Sequence, residues 1–225
     1  MWHYIKKTDW SVYILEETSL KREEKNALSR KRILEAAARE FSKKGYDGAS
    51  LNSFCSENGI SKGILYHHFK DKDELYLLCA EDCFNRLAAY LETPVFDESD
   101  CPEVRLQKYF DARLRFFTEN PICLGIFLNS VLYPPAHLIS RIAEVRKKFD
   151  RQNISILTEL LKSAPMREGN TIPTVVDDFR MYMDYFNAVL RPVLDEDESP
   201  EQALREHEER CRRQLKILLY GVLEN

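Results

Sequence analysis

Ser50-Leu-Asn-Ser-Phe-Cys-Ser-Glu-Asn-Gly59-Ile-Ser61-Lys-Gly-Ile-Leu-Tyr66-His-His-Phe69 reads as two short helices hinged at a glycine. Ser50 stands where a hydroxyl caps the first helix, and Leu51, Phe54 and Cys55 repeat at i, i+3, i+4, giving it one apolar face. Gly59 supplies the positive φ of a tight turn, which a residue with a Cβ resists. Ser61 then caps the second helix. Leu65 and Phe69 form its inward edge, which leaves Lys62, Gly63, Ile64, Tyr66 and His67 toward the outward side and the N-terminal end. Small, basic and hydroxyl-bearing groups in that arrangement suit a helix laid in the major groove of duplex DNA.

Working outward, Ile33, Leu34, Ala37 and Phe41 predict a first helix from about Leu20 or Ser29 to Lys44, with Gly45 near its stop. Asp71 is the expected cap of a fourth helix, with Glu74 at the capping-box position and Leu75, Leu78, Cys79, Cys83, Leu87 and Leu91 as the buried face. Thr93 to Pro102 reads as a polar, proline-flanked loop. Further amphipathic helices follow over Val104 to Asn120, Pro121 to Leu132, Ala136 to Ser163, Thr174 to Leu190 and Pro200 to Leu223. Tyr133-Pro134-Pro135 and the acidic turn Asp195 to Ser199 separate neighbouring pairs. With only 7 glycines in 225 residues and long 3.6-period stripes, the chain reads as all-α. The expected organisation is an extension over residues 1–20, a three-helix head over 21–75, and a helical bundle over 76–225.

A content of 44% hydrophobic and 31% charged residues predicts a globular chain with one or two cores. The net charge of −4 hides a split: residues 21–72 hold 12 basic against 7 acidic side chains, a local +5, while residues 73–225 carry −8. The positive charge sits on the helical hairpin, as an interface with phosphates requires. Cys55, Cys79, Cys83, Cys101, Cys123 and Cys211 form no CxxC pair, and charges interrupt the apolar residues of the first 19 positions. The expectation is reduced thiols in a cytoplasm, with neither a secretory leader nor a membrane span. Residues 1–20 are a loose tail, a start-site artefact, or a segment that packs on the body or touches DNA.

The ordered segments Arg32-Ile-Leu-Glu-Ala-Ala-Ala-Arg-Glu-Phe41, Lys44-Gly-Tyr46, Ser50, Gly59 through Phe69 and Lys72-Asp-Glu-Leu75 resemble the N-terminal domain of TetR-type (tetracycline-repressor-like) transcription regulators. The resemblance runs from about Arg30 to Leu78, a fifth of the chain, and departs from the family pattern at Ile64, usually polar, and at Phe54-Cys55, usually a small apolar pair. It implies base-edge contacts from Lys62, Gly63 and Ile64, and phosphate contacts from Ser50, Ser61, Tyr66, His67 and Lys72. It also implies a repressor that a small-molecule effector releases from its operator.

One reading head covers too little DNA for tight recognition, so a homodimer on a palindromic operator is expected. Its seam is placed on the stripes Phe179, Tyr182, Met183, Phe186 and Leu204, Cys211, Leu215, Leu218, which also read as core of a single chain. Tyr109, Arg113, Phe117, Phe127, Tyr133, His137 and Tyr185 are the candidate effector lining, although aromatic stripes at helical spacing equally make ordinary core. Cys79 and Cys83, one turn apart, and Cys55 keep open a thiol- or metal-sensing regulator on the same head. A helical interaction protein that has lost DNA binding is the other alternative. There is no Gly-rich phosphate loop, nucleophile elbow or His-Glu metal motif, so no enzyme, cofactor or metal is expected.

Overall fold

The computed structural model describes residues 8–92, 97, 100–162, 165–190 and 199–223. The two serines act as their positions predict. Ser50 Oγ accepts from Ser53 N at 3.3 Å and opens α2 (Leu51–Glu57); Ser61 Oγ accepts from Ile64 N at 3.2 Å and opens α3 (Lys62–His68). Gly59 between them has φ 62°. Asp71 Oδ1 accepts from Glu74 N at 2.8 Å and opens α4 (Lys72–Glu92). The Glu74 carboxylate reaches back to Lys70 N at 2.6 Å, one residue beyond the usual partner in a capping box.

The hairpin follows α1 (Thr8–Gly48), whose regular path breaks at Gly45 (φ 64°, ψ −174°). That helix starts at Thr8 rather than near Leu20. Neither glycine nor proline occurs between Thr8 and Lys44, so nothing in the sequence stops it from running back through most of the supposed extension. Residues 1–7 lie outside the described residues.

The body comprises α5 (Pro102–Glu119), α6 (Pro121–Val131), α7 (Ile139–Lys162), α8 (Ile172–Leu190) and α9 (Pro200–Val222), with a 3-10 turn over Ala136–Leu138 leading into α7. Most of the loop expected from Thr93 to Pro102, and the turn from Asp195 to Glu198, fall outside the described residues. Among the described residues no strand forms, and a single bridge pairs Met166 with Leu223. No single helix among them is long and apolar enough to cross a membrane.

One continuous core runs from Ile33 in α1 to Leu223, with Phe41, Tyr76, Phe84, Phe117 and Phe127 almost wholly buried. Two crossings tie the hairpin's supporting helices to the body: α4 lies between α1 and α7, and α1 lies across α6. At the second crossing a Cβ on Gly125 would stand 2.3 Å from Ser42 Oγ and 2.4 Å from Ser42 O. Only glycine permits that approach. Asn129, one turn on, donates to Gly125 O at 2.7 Å and to Phe41 O at 3.4 Å.

Candidate nucleic-acid interface and ligand cavity

Helix α3 turns Leu65 and Phe69 inward, and Lys62, Gly63, Ile64, Tyr66 and His67 all lie exposed beside Ser61. Ile64 (48% exposed) and Tyr66 (56%) are large apolar groups left in water, which monomer packing alone does not explain. The capping hydroxyls of Ser50 and Ser61 accept from backbone N–H, so each keeps its own O–H to offer a phosphate. Lys72 is half-buried, its ammonium 4.4 Å from the Tyr46 ring centroid. Arg30, which the motif reading passed over, lies across the Phe69 ring at 5.2 Å, at the C-terminal end of α3. Its signal in the sequence was the basic run Arg30-Lys31-Arg32, a whole helix away from the motif. His68 is pushed below its ordinary range by burial and then by His67 and Arg30, which suits a packed neutral ring.

Where α1 and α4 meet the body, Tyr46 donates its hydroxyl proton to Asp73, which also faces His137 Nε2 at 3.2 Å and Arg141 at 3.7 Å. The Tyr46 hydrogen bond, followed by His137 and Arg141, holds the Asp73 carboxyl below its usual range in spite of some burial. This cluster pins the start of α4 to the entry of α7.

Within the body a cavity of about 630 Å³ opens among α5, α6, α7, α8 and α9, lined by Leu106, Tyr109, Phe110, Arg113, Phe127, Phe149, Met183, His207 and Leu215 among others. Arg113, 6% exposed, donates from Nη2 to Glu208 Oε1 at 2.7 Å and from Nη1 to the Tyr109 hydroxyl at 3.3 Å. Its guanidinium carbon lies 5.4–5.8 Å from the ring centroids of Tyr109, Phe110, Phe127 and Phe149. The Arg113 Nε and Glu208 Oε2 have no hydrogen-bond partner among the described residues. Burial works against a charge on His207, but the adjoining Cys211 sulfur and Glu208 carboxylate push it up to about 9.

The sequence model for bacterial regulatory proteins of the tetR family matches residues 33–79. That span takes in α2, α3 and the start of α4. By its head, the chain is similar to the TetR family. Over 60 residues it is 38% identical to the biofilm operon negative transcriptional regulator IcaR of Staphylococcus epidermidis, covering 27% of this chain and 32% of that protein. It is 42% identical over 60 residues to the transcriptional repressor AcnR of Corynebacterium efficiens, again 27% of this chain and 32% of the relative. The matched segment thus spans about a third of these relatives. The fold extends further: FadR of Bacillus subtilis, solved with stearoyl-CoA, superposes with a TM-score of 0.57 at 16% identity, covering 80% of this chain and 96% of that one.

Of the lining expected in a TetR-type body, Tyr109, Arg113 and Phe127 do face the cavity. The others stand elsewhere. Phe117 is wholly buried core, Tyr133 is half-buried against the core, and His137 belongs to the exposed Asp73 cluster. Tyr185 points outward at 67% exposure. The stripes assigned to a dimer seam also face the wrong way: Leu204, Cys211 and Leu215 are buried inside their own chain, and Phe179 and Met183 pack on the core and line the cavity. Tyr182 and Leu218 are half-buried, and the Phe186 side chain lies outside the described residues. Among the described residues, the large apolar groups exposed on the same helices are Met181, Tyr185, Ile217 and Tyr220. Cys55, Cys79, Cys83, Cys123 and Cys211 are buried, and burial pushes the Cys79 thiol up to about 12, far from a reactive thiolate. Among the described residues no three His, Cys, Asp or Glu side chains gather as a metal site.

Proposed function

We propose that this chain is a sequence-specific DNA-binding transcription regulator of the repressor type. It acts in the cytoplasm as a homodimer on a palindromic operator, without enzymatic activity, and a small organic molecule in the body cavity releases it. The observation that carries the reading is the exposed edge Lys62-Gly63-Ile64-Tyr66-His67 on a serine-capped helix, set in a segment of local charge +5. Lys62 is suited to base edge and backbone alike, Ile64 to a thymine methyl, and Ser50, Ser61, Tyr66, His67 and Lys72 to phosphate, with Arg30 added to that set. The names of IcaR and AcnR as negative regulator and repressor support the sign.

The cavity reading rests on its ring-lined volume, within the roughly 300–1,000 Å³ range of small-molecule sites, and on the likeness in fold to a regulator solved with stearoyl-CoA. Helix α6 offers the route to DNA: Phe127 lines the cavity, while Gly125 and Asn129 bear on the end of α1. A ligand that displaces Phe127 shifts α1 and, through the shared core, the start of α4, which resets the separation of two heads. Release then requires the ligand to bind the DNA-incompetent arrangement more tightly. The seam of the dimer falls on the exposed Met181, Tyr185, Ile217 and Tyr220 faces of α8 and α9.

Selection of duplexes from a randomised pool, followed by gel shift, tests the proposal. A palindrome with half-sites about one helical turn apart should emerge, bound by the wild type and weakened by Lys62→Ala and Tyr66→Phe. Absence of any enriched sequence would contradict it.

A further inference from the structure

Arg113 is the feature of the body that ordinary packing leaves unexplained. A guanidinium buried among four rings and paired through one nitrogen to Glu208 still has an N–H at Nε without an acceptor among the described residues, and it lines the cavity. A buried charged donor without an acceptor is costly, and such groups normally find a partner. We propose that the cavity binds an amphipathic organic anion, an apolar chain or ring system ending in a single carboxylate, whose oxygen accepts from Arg113 Nε while its body lies among Tyr109, Phe110, Phe127 and Phe149.

The charge on the buried donor supports an anion over a neutral polar head, because a hydrogen bond between ionised groups is the stronger kind. Arg113, His207 and Glu208 are each more than nine-tenths buried, and Glu208 carries the one carboxylate among them. His207 already faces the Glu208 carboxylate at 3.5 Å and the Cys211 sulfur at 3.8 Å, so the open donor of the cluster is Arg113 Nε. Of the cations at the rim, half-buried Arg146 pairs with Asp150 at 3.0 Å, Lys147 with Glu144 at 2.6 Å and Arg180 with Asp177 at 3.7 Å, and Lys147, Arg180 and Arg151 stand in exposed positions where charge pairs count for little. They favour entry of an anion without fixing it.

The inference rests on the proposed cavity reading, so the test separates the two. The probes are 11-(dansylamino)undecanoic acid and its methyl ester, titrated against the full chain by dansyl fluorescence. The acid should bind the wild type about tenfold or more tighter than the ester, the scale of a hydrogen bond to a charged group. In Arg113→Met/Glu208→Leu the ion pair is removed as a unit, so neither of its partners is left as a lone buried charge; a cooperative thermal melt checks folding. That variant should bind acid and ester within about twofold of each other, the charged hydrogen bond being gone. Equal binding of acid and ester by the wild type overturns the ligand class alone. An acid preference that survives the double substitution overturns Arg113 as the anchor. Failure of both probes to bind the wild type overturns the cavity reading together with this inference, whereas acid binding that leaves DNA affinity unchanged overturns only the release mechanism.

Discussion

Lys62 and Ile64 occupy neighbouring outward positions on α3 and make different predictions. Lys62→Ala removes a charged donor from an exposed site, so the fold should persist while operator affinity falls by about 1–3 kcal/mol and the slope of log affinity against log salt drops by about 1. Fluorescence anisotropy at several salt concentrations measures both. Ile64→Gln exchanges a methyl contact for an amide, so it should change which base is preferred at one position in each half-site rather than weaken all duplexes evenly; a repeated duplex selection with the variant reads this. Asp73 belongs at this scale too. Its carboxyl is held below the usual range in the folded chain, chiefly by the Tyr46 hydrogen bond. The stability it contributes is therefore present above the unfolded value of about 3.9 and lost as pH falls through the lower folded value. Asp73→Asn should flatten the acid limb of thermal stability below about pH 4 and leave a lower plateau at neutral pH, because Tyr46, His137 and Arg141 lose the carboxylate charge they share.

At the scale of elements, the crossing of α1 and α6 is the tightest contact between the head's supporting helix and the body. Gly125→Ala forces a methyl onto the Ser42 backbone carbonyl, which neither helix can yield without moving apart. It should cost about 1–3 kcal/mol, a fall in melting temperature of several degrees for a chain of this size, and should also weaken coupling between ligand and DNA. Scanning calorimetry with and without an acid probe checks this. The same scale shows what the sequence made legible. The bounds of α2, α3 and α4 could be read because Ser50, Gly59, Ser61 and Asp71 signal through hydrogen bonds three residues away or a single backbone angle. The stripes of α8 and α9 could not be assigned a partner. Periodicity reveals that Leu204, Cys211 and Leu215 share a face, but burial against α5 and α6 in one chain leaves the same pattern as burial against a second copy. Arg113 and Glu208 lie 95 residues apart, so no local spacing announced their pairing.

Over the whole molecule, the charge divides between an acidic body and a basic head, and net charge alone conceals the division. Two heads on one duplex require a dimer, and the exposed Tyr185 and Ile217 lie on its proposed seam. Tyr185→Glu/Ile217→Glu should shift sedimentation from dimer to monomer and reduce operator affinity by orders of magnitude while α3 stays intact, since each half-site then binds alone. A monomeric wild type at micromolar concentration would contradict that seam. The most direct test of the central claim compares the wild type and Lys62→Ala, by anisotropy, on the selected palindrome and on a scrambled duplex at one salt concentration. The wild type should prefer the palindrome by about 10³-fold or more, and Lys62→Ala should lose a large part of that preference. Equal affinity for both duplexes, or a preference untouched by Lys62→Ala, would contradict the assignment of α3 as the reading helix.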